Sequence, residues 1–221
     1  MPMKPLLDCR LYAFVDTAYL QGRAPEKIAR QLCEGGADLI QLRAKSSSPE
    51  EIQNMTQRIL PITRATGVGL VINDYIAIAR QLGADFCHLG QEDFFDAGHT
   101  HVSELRSAHS NLGIGISTHA PEQALRAVSA GADYVAIGPI FATGTKPTAK
   151  PVTLDYVSWA AANLSVPWFA IGGINLGNLD KVLAAGARRI CVVSAILNSE
   201  DIAATCDEFK QRLNSAESRE P

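Results

Sequence analysis

The sequence has no excess of positive charge: 20 Lys and Arg stand against 23 Asp and Glu, for a formal net charge of −3. It therefore has no broad basic footprint for nucleic acid or an anionic membrane surface, and any anion must be bound locally. Paired cysteines are missing too. Cys9, Cys33, Cys87, Cys191 and Cys206 are odd in number, scattered, and never in a CxxC pair, which argues against a disulfide frame or zinc knuckle and for reduced thiols. Long apolar runs are also absent. The opening MPMKPLLDCR lacks a signal-peptide core, and no later run approaches the length that crosses a bilayer. The expectation is a soluble protein that stays in the cytoplasm. A chain of 221 residues, 47% hydrophobic, can fill one large core but is short for two. A single domain is expected over residues 1–213. The tail NSAESREP, residues 214–221, has no apolar anchor and is expected to be flexible.

What the chain does have is one pattern, repeated. Short apolar runs (LYAFVD, DLIQLR, LVIND, FCHLG, GIGIST, YVAIG, WFAIGG and RICVVSAI) alternate with amphipathic segments. Pro25 opens a helix with Ile28, Ala29, Leu32 and Cys33 on one stripe, and Ser48-Pro49 opens another with Ile52, Met55, Ile59 and Ile62. Val102, Leu105 and His109 mark a weak helix. Pro121 introduces one with Ala124, Leu125 and Val128; Leu179, Val182 and Leu183 belong to the next, and Ile202, Cys206, Phe209 and Leu213 to the last. The runs are nearly continuous rather than alternating, as in strands covered on both faces. Eight strand-helix units with short connections specify an α/β fold, a closed (β/α)8 TIM barrel, in preference to an open sheet. Gly-Ala-Asp precedes strands two, four and six, and Gly186-Ala187-Arg188 precedes strand eight. This is a two-unit repeat that favours a barrel of (βα)2 pairs.

In such a barrel the site lies at the carboxyl ends of the strands. Strand two ends in Gln41-Leu42-Arg43-Ala44-Lys45, strand three in Asn73-Asp74, and strand four in Gly90-Gln91-Glu92-Asp93. Strand five ends in Ser117-Thr118-His119 and strand six in the loop from Gly138 to Lys146. Parallel pairing brings Asp74 and Asp93 to one rim, where two anions about 4 Å apart would repel by roughly 4 kcal/mol at an effective dielectric of 20. A cation is expected between them. Arg43, Lys45 and Lys146 together with two carboxylates suit a magnesium diphosphate, since Mg²⁺ takes hard oxygens and bridges carboxylate to phosphate. Glycines after strand seven and Ser194 after strand eight suit a monophosphate.

The motifs QLRxK, IND, HLGQED, GxSTH, GPIFxTxTK, AIGGI and VVSAI, in this order from strand two to strand eight, resemble those of thiamine-phosphate synthase. The resemblance covers Leu11 to Leu213. It implies the joining of hydroxymethylpyrimidine diphosphate to hydroxyethylthiazole phosphate, by a dissociative alkyl transfer with Mg²⁺ as cofactor. By the same resemblance Arg43, Lys45, Asn73 and Lys146 grip the diphosphate, Asp74 and Asp93 hold the metal, and Gln41 addresses the aminopyrimidine. Ser117 lies beside the diphosphate and the reacting carbon, while Thr143, Thr145, Gly173, Val193 and Ser194 form the thiazole-phosphate pocket. Ala44 and Tyr75 depart from the family pattern, and the stretch between Asp93 and Leu112 matches it least. The partners implied are small molecules, not nucleic acid or membrane; homo-oligomerisation is compatible with this reading.

Each residue also has a plainer role available. Asp74 and Asp93 can be helix caps, Gln41 a hydrogen bonder inside the barrel, and His88 a satisfied core histidine. His99, His101 and His109 read as surface residues. The Ser-x-His at strand five is shared with thiazole tautomerases, so an isomerase is one alternative reading. A non-catalytic thiazole-phosphate binder is another.

Overall fold

In the computed structural model, which describes residues 1–106, 111–143 and 151–217, the eight apolar runs are eight parallel strands closed into a barrel. They are β1 (Leu11–Asp16), β2 (Leu39–Arg43), β3 (Gly69–Asn73), β4 (Phe86–Gly90), β5 (Gly113–Thr118), β6 (Tyr134–Ile137), β7 (Trp168–Ala170) and β8 (Ile190–Cys191). Each pairs with its sequence neighbour, and β8 pairs with β1 through Leu11↔Ile190 and Tyr12↔Cys191. Every residue of β1 is buried, because one face meets the barrel interior and the other the helices. The interior is filled by rings: Tyr12 meets Tyr134 and Phe169 edge-on, with centroids 5.9 and 5.4 Å apart, and stacks on Phe14. The helices are α1 (Pro25–Glu34), α2 (Pro49–Thr66), α3 (Ile76–Leu82), α4 (Gln91–Asp96), α5 (Pro121–Ser129), α6 (Thr153–Asn163), α7 (Leu179–Ala184), α8 (Ser194–Leu197) and α9 (Ile202–Glu217). No helix among the described residues is long and apolar enough to cross a membrane.

Helix starts follow the sequence closely. Ser48 caps α2 by accepting from Glu51 N–H at 3.2 Å, while the Glu51 carboxylate accepts from Ser48 N–H at 2.7 Å. Four expectations differ from the structure. RICVVSAI is strand only over Ile190–Cys191, and Ser194–Leu197 is already helix. The segment after β4 is α4 followed by a 3₁₀ turn at Val102–Leu105, with His109 outside the described residues. Leu125 is 49% exposed, because Ala124 and Ala127 carry the buried face of α5. The chain stays helical to Glu217, past Leu213, where fraying was expected; residues 218–221 lie outside the described ones.

The Gly-Ala-Asp repeat has a physical explanation. Asp38 accepts from Leu11 N–H at 2.9 Å, Asp85 from Leu70 N–H at 2.8 Å, and Asp133 from Ile114 N–H at 2.6 Å. Each aspartate thus holds the start of the preceding odd-numbered strand and welds a (βα)2 pair at its amino end. The fourth repeat has Arg188 instead, and its strands, β7 and β8, are the shortest at three and two residues.

Asp38 also gathers ions. Lys210 of α9 lies 2.5 Å from it, Lys4 pairs with the same carboxylate, and Arg10 N–H donates to it at 2.7 Å. Burial alone would push its carboxyl up, but the Leu11 N–H, Lys210 and Lys4 together hold it below the usual range. A depressed carboxyl stabilises the fold above its unfolded value, and that contribution is lost as pH falls through its folded value. Asp38→Asn is expected to cost about 3 kcal/mol at neutral pH. The gap to wild type should close on acidification, as followed by urea denaturation at a series of pH values; a gap independent of pH would contradict the ionic role.

Candidate active site

The carboxyl ends of the strands surround a cavity open to solvent. Gln41, Arg43, Lys45, Asn73, Asp74, Asp93, Ser117, Thr143, Gly173, Val193 and Ser194 all line it. Thr145 and Lys146 lie outside the described residues.

Charge is arranged in pairs. Arg43 Nη1 donates to Asp16 Oδ2 at 2.8 Å, and Asp16 is 1% exposed at the end of β1. Lys45 Nζ lies 2.5 Å from Asp74 Oδ2, which also accepts from Asn73 Nδ2 at 2.7 Å. In this structure Lys45 is thus the cation beside Asp74. Asp16 had no role in the sequence reading, although LYAFVD ends on a carboxylate at this same rim. Its Oδ1 accepts from Ala18 N–H at 3.0 Å, so one side chain turns the chain and orients Arg43.

Asp74 has a φ of +66°, a left-handed conformation uncommon outside glycine but tolerated by aspartate. Its N–H donates to His88 O at 2.9 Å, which fixes it beside β4. Asp93 stands in the first turn of α4 rather than on the strand itself, and is exposed. Its carboxylate folds back over Gly90: a Cβ built there would lie 2.6 Å from Asp93 Oδ2. Two carboxylates facing one cavity, with the amide of Asn73 beside them, are hard-oxygen donors that fit a magnesium ion sharing its remaining positions with phosphate and water. Among the described residues no group of three or more His, Cys, Asp or Glu could hold a metal by protein ligands alone.

Beneath the cavity runs a buried polar chain whose two central members, Tyr12 and Tyr134, look in the sequence like ordinary strand aromatics. Gln41 Nε2 donates to Tyr12 Oη at 2.6 Å, Tyr12 Oη lies 3.0 Å from Tyr134 Oη, and Tyr134 Oη 3.1 Å from His88 Nδ1. Burial pushes both phenols well above their usual range, so they stay protonated. Gln41 and His88 thus have the plainer roles allowed them. Gln41 also lines the cavity. Burial likewise pushes the Cys87 thiol up to about 12, and all five cysteines are unpaired.

On the far wall, Ile140 N–H donates to Ile171 O at 2.8 Å and Phe141 N–H to Gly172 O at 3.0 Å, zipping the start of the β6 loop onto the end of β7. Gly172 and Gly173 have φ of +102° and +65°, and a Cβ at either would strike Pro139 or the Ala142 carbonyl. Both the turn and the close approach require glycine. His119, at the end of β5, puts its Nδ1 against the Gly138 carbonyl and gives its own N–H to Gln123 Oε1 at 2.7 Å. Away from the cavity, His101 caps the 3₁₀ turn and His99 lies 3.1 Å from Glu104.

The profile of the thiamine monophosphate synthase family matches residues 11–196. A thiamine-phosphate synthase of Thermus thermophilus is 46% identical over 180 residues, 81% of this chain and 84% of that protein. That of Halalkalibacterium halodurans is 39% identical over 211 residues, 93% and 96% of the two chains. Among solved structures, a thiamine phosphate pyrophosphorylase of Pyrococcus furiosus superposes with a TM-score of 0.82 at 28% identity, covering 94% of this chain and 96% of its own.

The contact between Gly90 and Asp93 makes a specific expectation. With a φ of −67°, residue 90 accepts any side chain in its backbone, so Gly90→Ala displaces the Asp93 carboxylate at little cost in stability. Mn²⁺ affinity in the presence of pyrophosphate, measured by electron paramagnetic resonance titration, should fall roughly tenfold. An unchanged affinity would remove Asp93 from the metal site.

Proposed function

The chain belongs to the thiamine monophosphate synthase family, and from that premise we propose that it joins hydroxymethylpyrimidine diphosphate to hydroxyethylthiazole phosphate, releasing diphosphate and forming thiamine phosphate. The observation that carries this reading is the convergence of the motif residues from strands two to eight on one cavity. Substrate positioning and charge stabilisation are then the protein's main tasks. When bound, Mg²⁺ supplies Lewis-acid stabilisation of the charge that builds on the departing diphosphate. Asp74 and Asp93 are the residues to hold it.

The chain's own residues do the rest. Arg43, oriented by Asp16, presents its guanidinium to phosphate. Lys45, paired with Asp74 in this structure, would hold a phosphate oxygen, and Asp74 would then be one of the residues to hold the cation. Asn73, Ser117 and Lys146 complete the diphosphate grip. Gln41, its nitrogen held by Tyr12, offers its amide oxygen to the pyrimidine amino group. Thr143, Thr145, Gly173, Val193 and Ser194 seat the thiazole phosphate. In a dissociative transfer the C–O bond to diphosphate breaks first, the electron-rich aminopyrimidine carries the cation at its methylene, and the thiazole nitrogen closes the new C–N bond. No protein nucleophile is needed. An isomerase handling a monophosphate would have no use for Arg43, Lys45, Lys146 and two aspartates together.

Folded protein given both phosphorylated substrates should make thiamine phosphate and diphosphate with Mg²⁺ and not without it. Asp74→Ala and Asp93→Ala should each lower turnover roughly a hundredfold with the fold intact. No product from the wild-type chain would sink the activity; full activity in both variants would dismiss the shared metal site.

A further inference from the structure

The turn at the end of β5 is restrained more heavily than a solvated wall requires. Tyr156 of α6, outside the barrel, donates its hydroxyl proton to Ala120 O at 2.8 Å and lies 2.8 Å from Thr118 Oγ1. One phenol thus grips the residues on both sides of His119. Burial pushes Tyr156 up to about 12, so it stays protonated and holds this arrangement across the ordinary pH range. Gln123 Oε1 takes the His119 N–H, and the Gly138 carbonyl takes the ring.

That last contact fixes the tautomer. A carbonyl only accepts, so Nδ1 must carry the proton, and in a neutral ring Nε2 is left as a lone-pair acceptor. His119 belongs to the cavity wall beside Ser117. The charges around it leave room for another positive group. Arg43 is matched by Asp16 and Lys45 by Asp74, while Asp93 adds a further carboxylate. Of these side chains two cations face three carboxylates, and the Glu92 carboxylate lies near Gly90 of the same wall. His88 lines the same cavity, Glu122 lies on the following helix, and Lys146 is outside the described residues. A diphosphate entering this wall makes protonation of a nearby imidazole favourable.

We propose that His119 is a further ligand-contacting residue: when a phosphoryl group enters the cavity, Nε2 takes up a proton from solvent and donates it in a charge-assisted hydrogen bond to that group. The proton comes from buffer acid, the new bond is Nε2–H, and no heavy-atom bond changes. Nδ1 keeps its proton on Gly138 throughout. Tyr156 is a positioning residue that acts through the turn. The inference rests on the phosphoryl-binding site above but not on turnover.

Inorganic pyrophosphate at a fixed MgCl₂ concentration is the probe. Isothermal titration calorimetry at about pH 7.5, in buffers of different ionisation heat, counts the protons exchanged on binding. Wild type should take up about one proton more than His119→Asn, whose amide can still reach the Gly138 carbonyl. Its affinity should also fall with rising pH up to about tenfold per unit more steeply than the variant's. Equal proton counts, or a folded wild type that does not bind pyrophosphate, would overturn the proposal. If His119→Asn fails to fold, ¹⁵N spectra of the wild-type ring decide. An imidazolium signature on adding pyrophosphate supports the proposal, and an unchanged Nδ1–H tautomer refutes it. Thiamine phosphate formation without the proton difference sinks this inference alone. The proton difference without turnover sinks the activity alone.

Discussion

A closed ring of eight parallel strands delivers every strand's carboxyl end to one rim, so Phe14 and Ser194, at opposite ends of the sequence, line a common cavity. Closure needs the strand starts to be held as firmly as the strands are paired. The aspartates at 38, 85 and 133 do this by taking a backbone N–H from the first or second residue of β1, β3 and β5. Asp38, with Lys4 and Lys210, further ties the last helix to the first two strands. Stability is thus concentrated at the amino end of the barrel, leaving the carboxyl rim free to carry charge and left-handed backbone.

The rim uses that freedom. Its described cations are stored in ion pairs, Arg43 on Asp16 and Lys45 on Asp74. The two pairs differ in what water does to them. Asp16 is buried, so Arg43 keeps a partner and a fixed aim, whereas the Lys45 side chain is 50% exposed and its pair is cheap to break. A fixed guanidinium and a releasable ammonium are different tools. The first supplies a directed fork, and the second gives up Asp74 when a better partner arrives. Beneath them, the Gln41–Tyr12–Tyr134–His88 chain gives the apolar barrel floor one oriented polar group.

Much of this was legible in the sequence, for identifiable reasons. The runs LYAFVD, FCHLG and GIGIST coincide with β1, β4 and β5 because strands covered on both faces read as unbroken apolar stretches. The stripe Ile202, Cys206, Phe209 and Leu213 is wholly buried because α9 packs one face on the barrel. Gln41, Arg43, Asn73 and Ser117 line the cavity and were legible because polar residues follow the apolar runs at strand ends. What was not legible is pairwise. Nothing in the order of residues says that Arg43 meets Asp16 or that Tyr156 reaches Ala120, since those contacts exist only after closure. The Ala-Asp of the repeat was visible as a pattern but had no cause until its backbone partners were in place. RICVVSAI misled because its apolar run continues unbroken from strand into helix.

The central proposal is an exchange at Asp74: Lys45 pairs with the carboxylate in this structure, and with a magnesium diphosphate bound Asp74 would hold the cation and Lys45 the phosphate. The direct measurement is a crystal structure of the protein with Mg²⁺ and pyrophosphate. The account predicts Asp74 and Asp93 turned to one metal ion, with Lys45 Nζ on a pyrophosphate oxygen. A structure in which Lys45 still holds Asp74, with the metal bound elsewhere or by pyrophosphate alone, would contradict it.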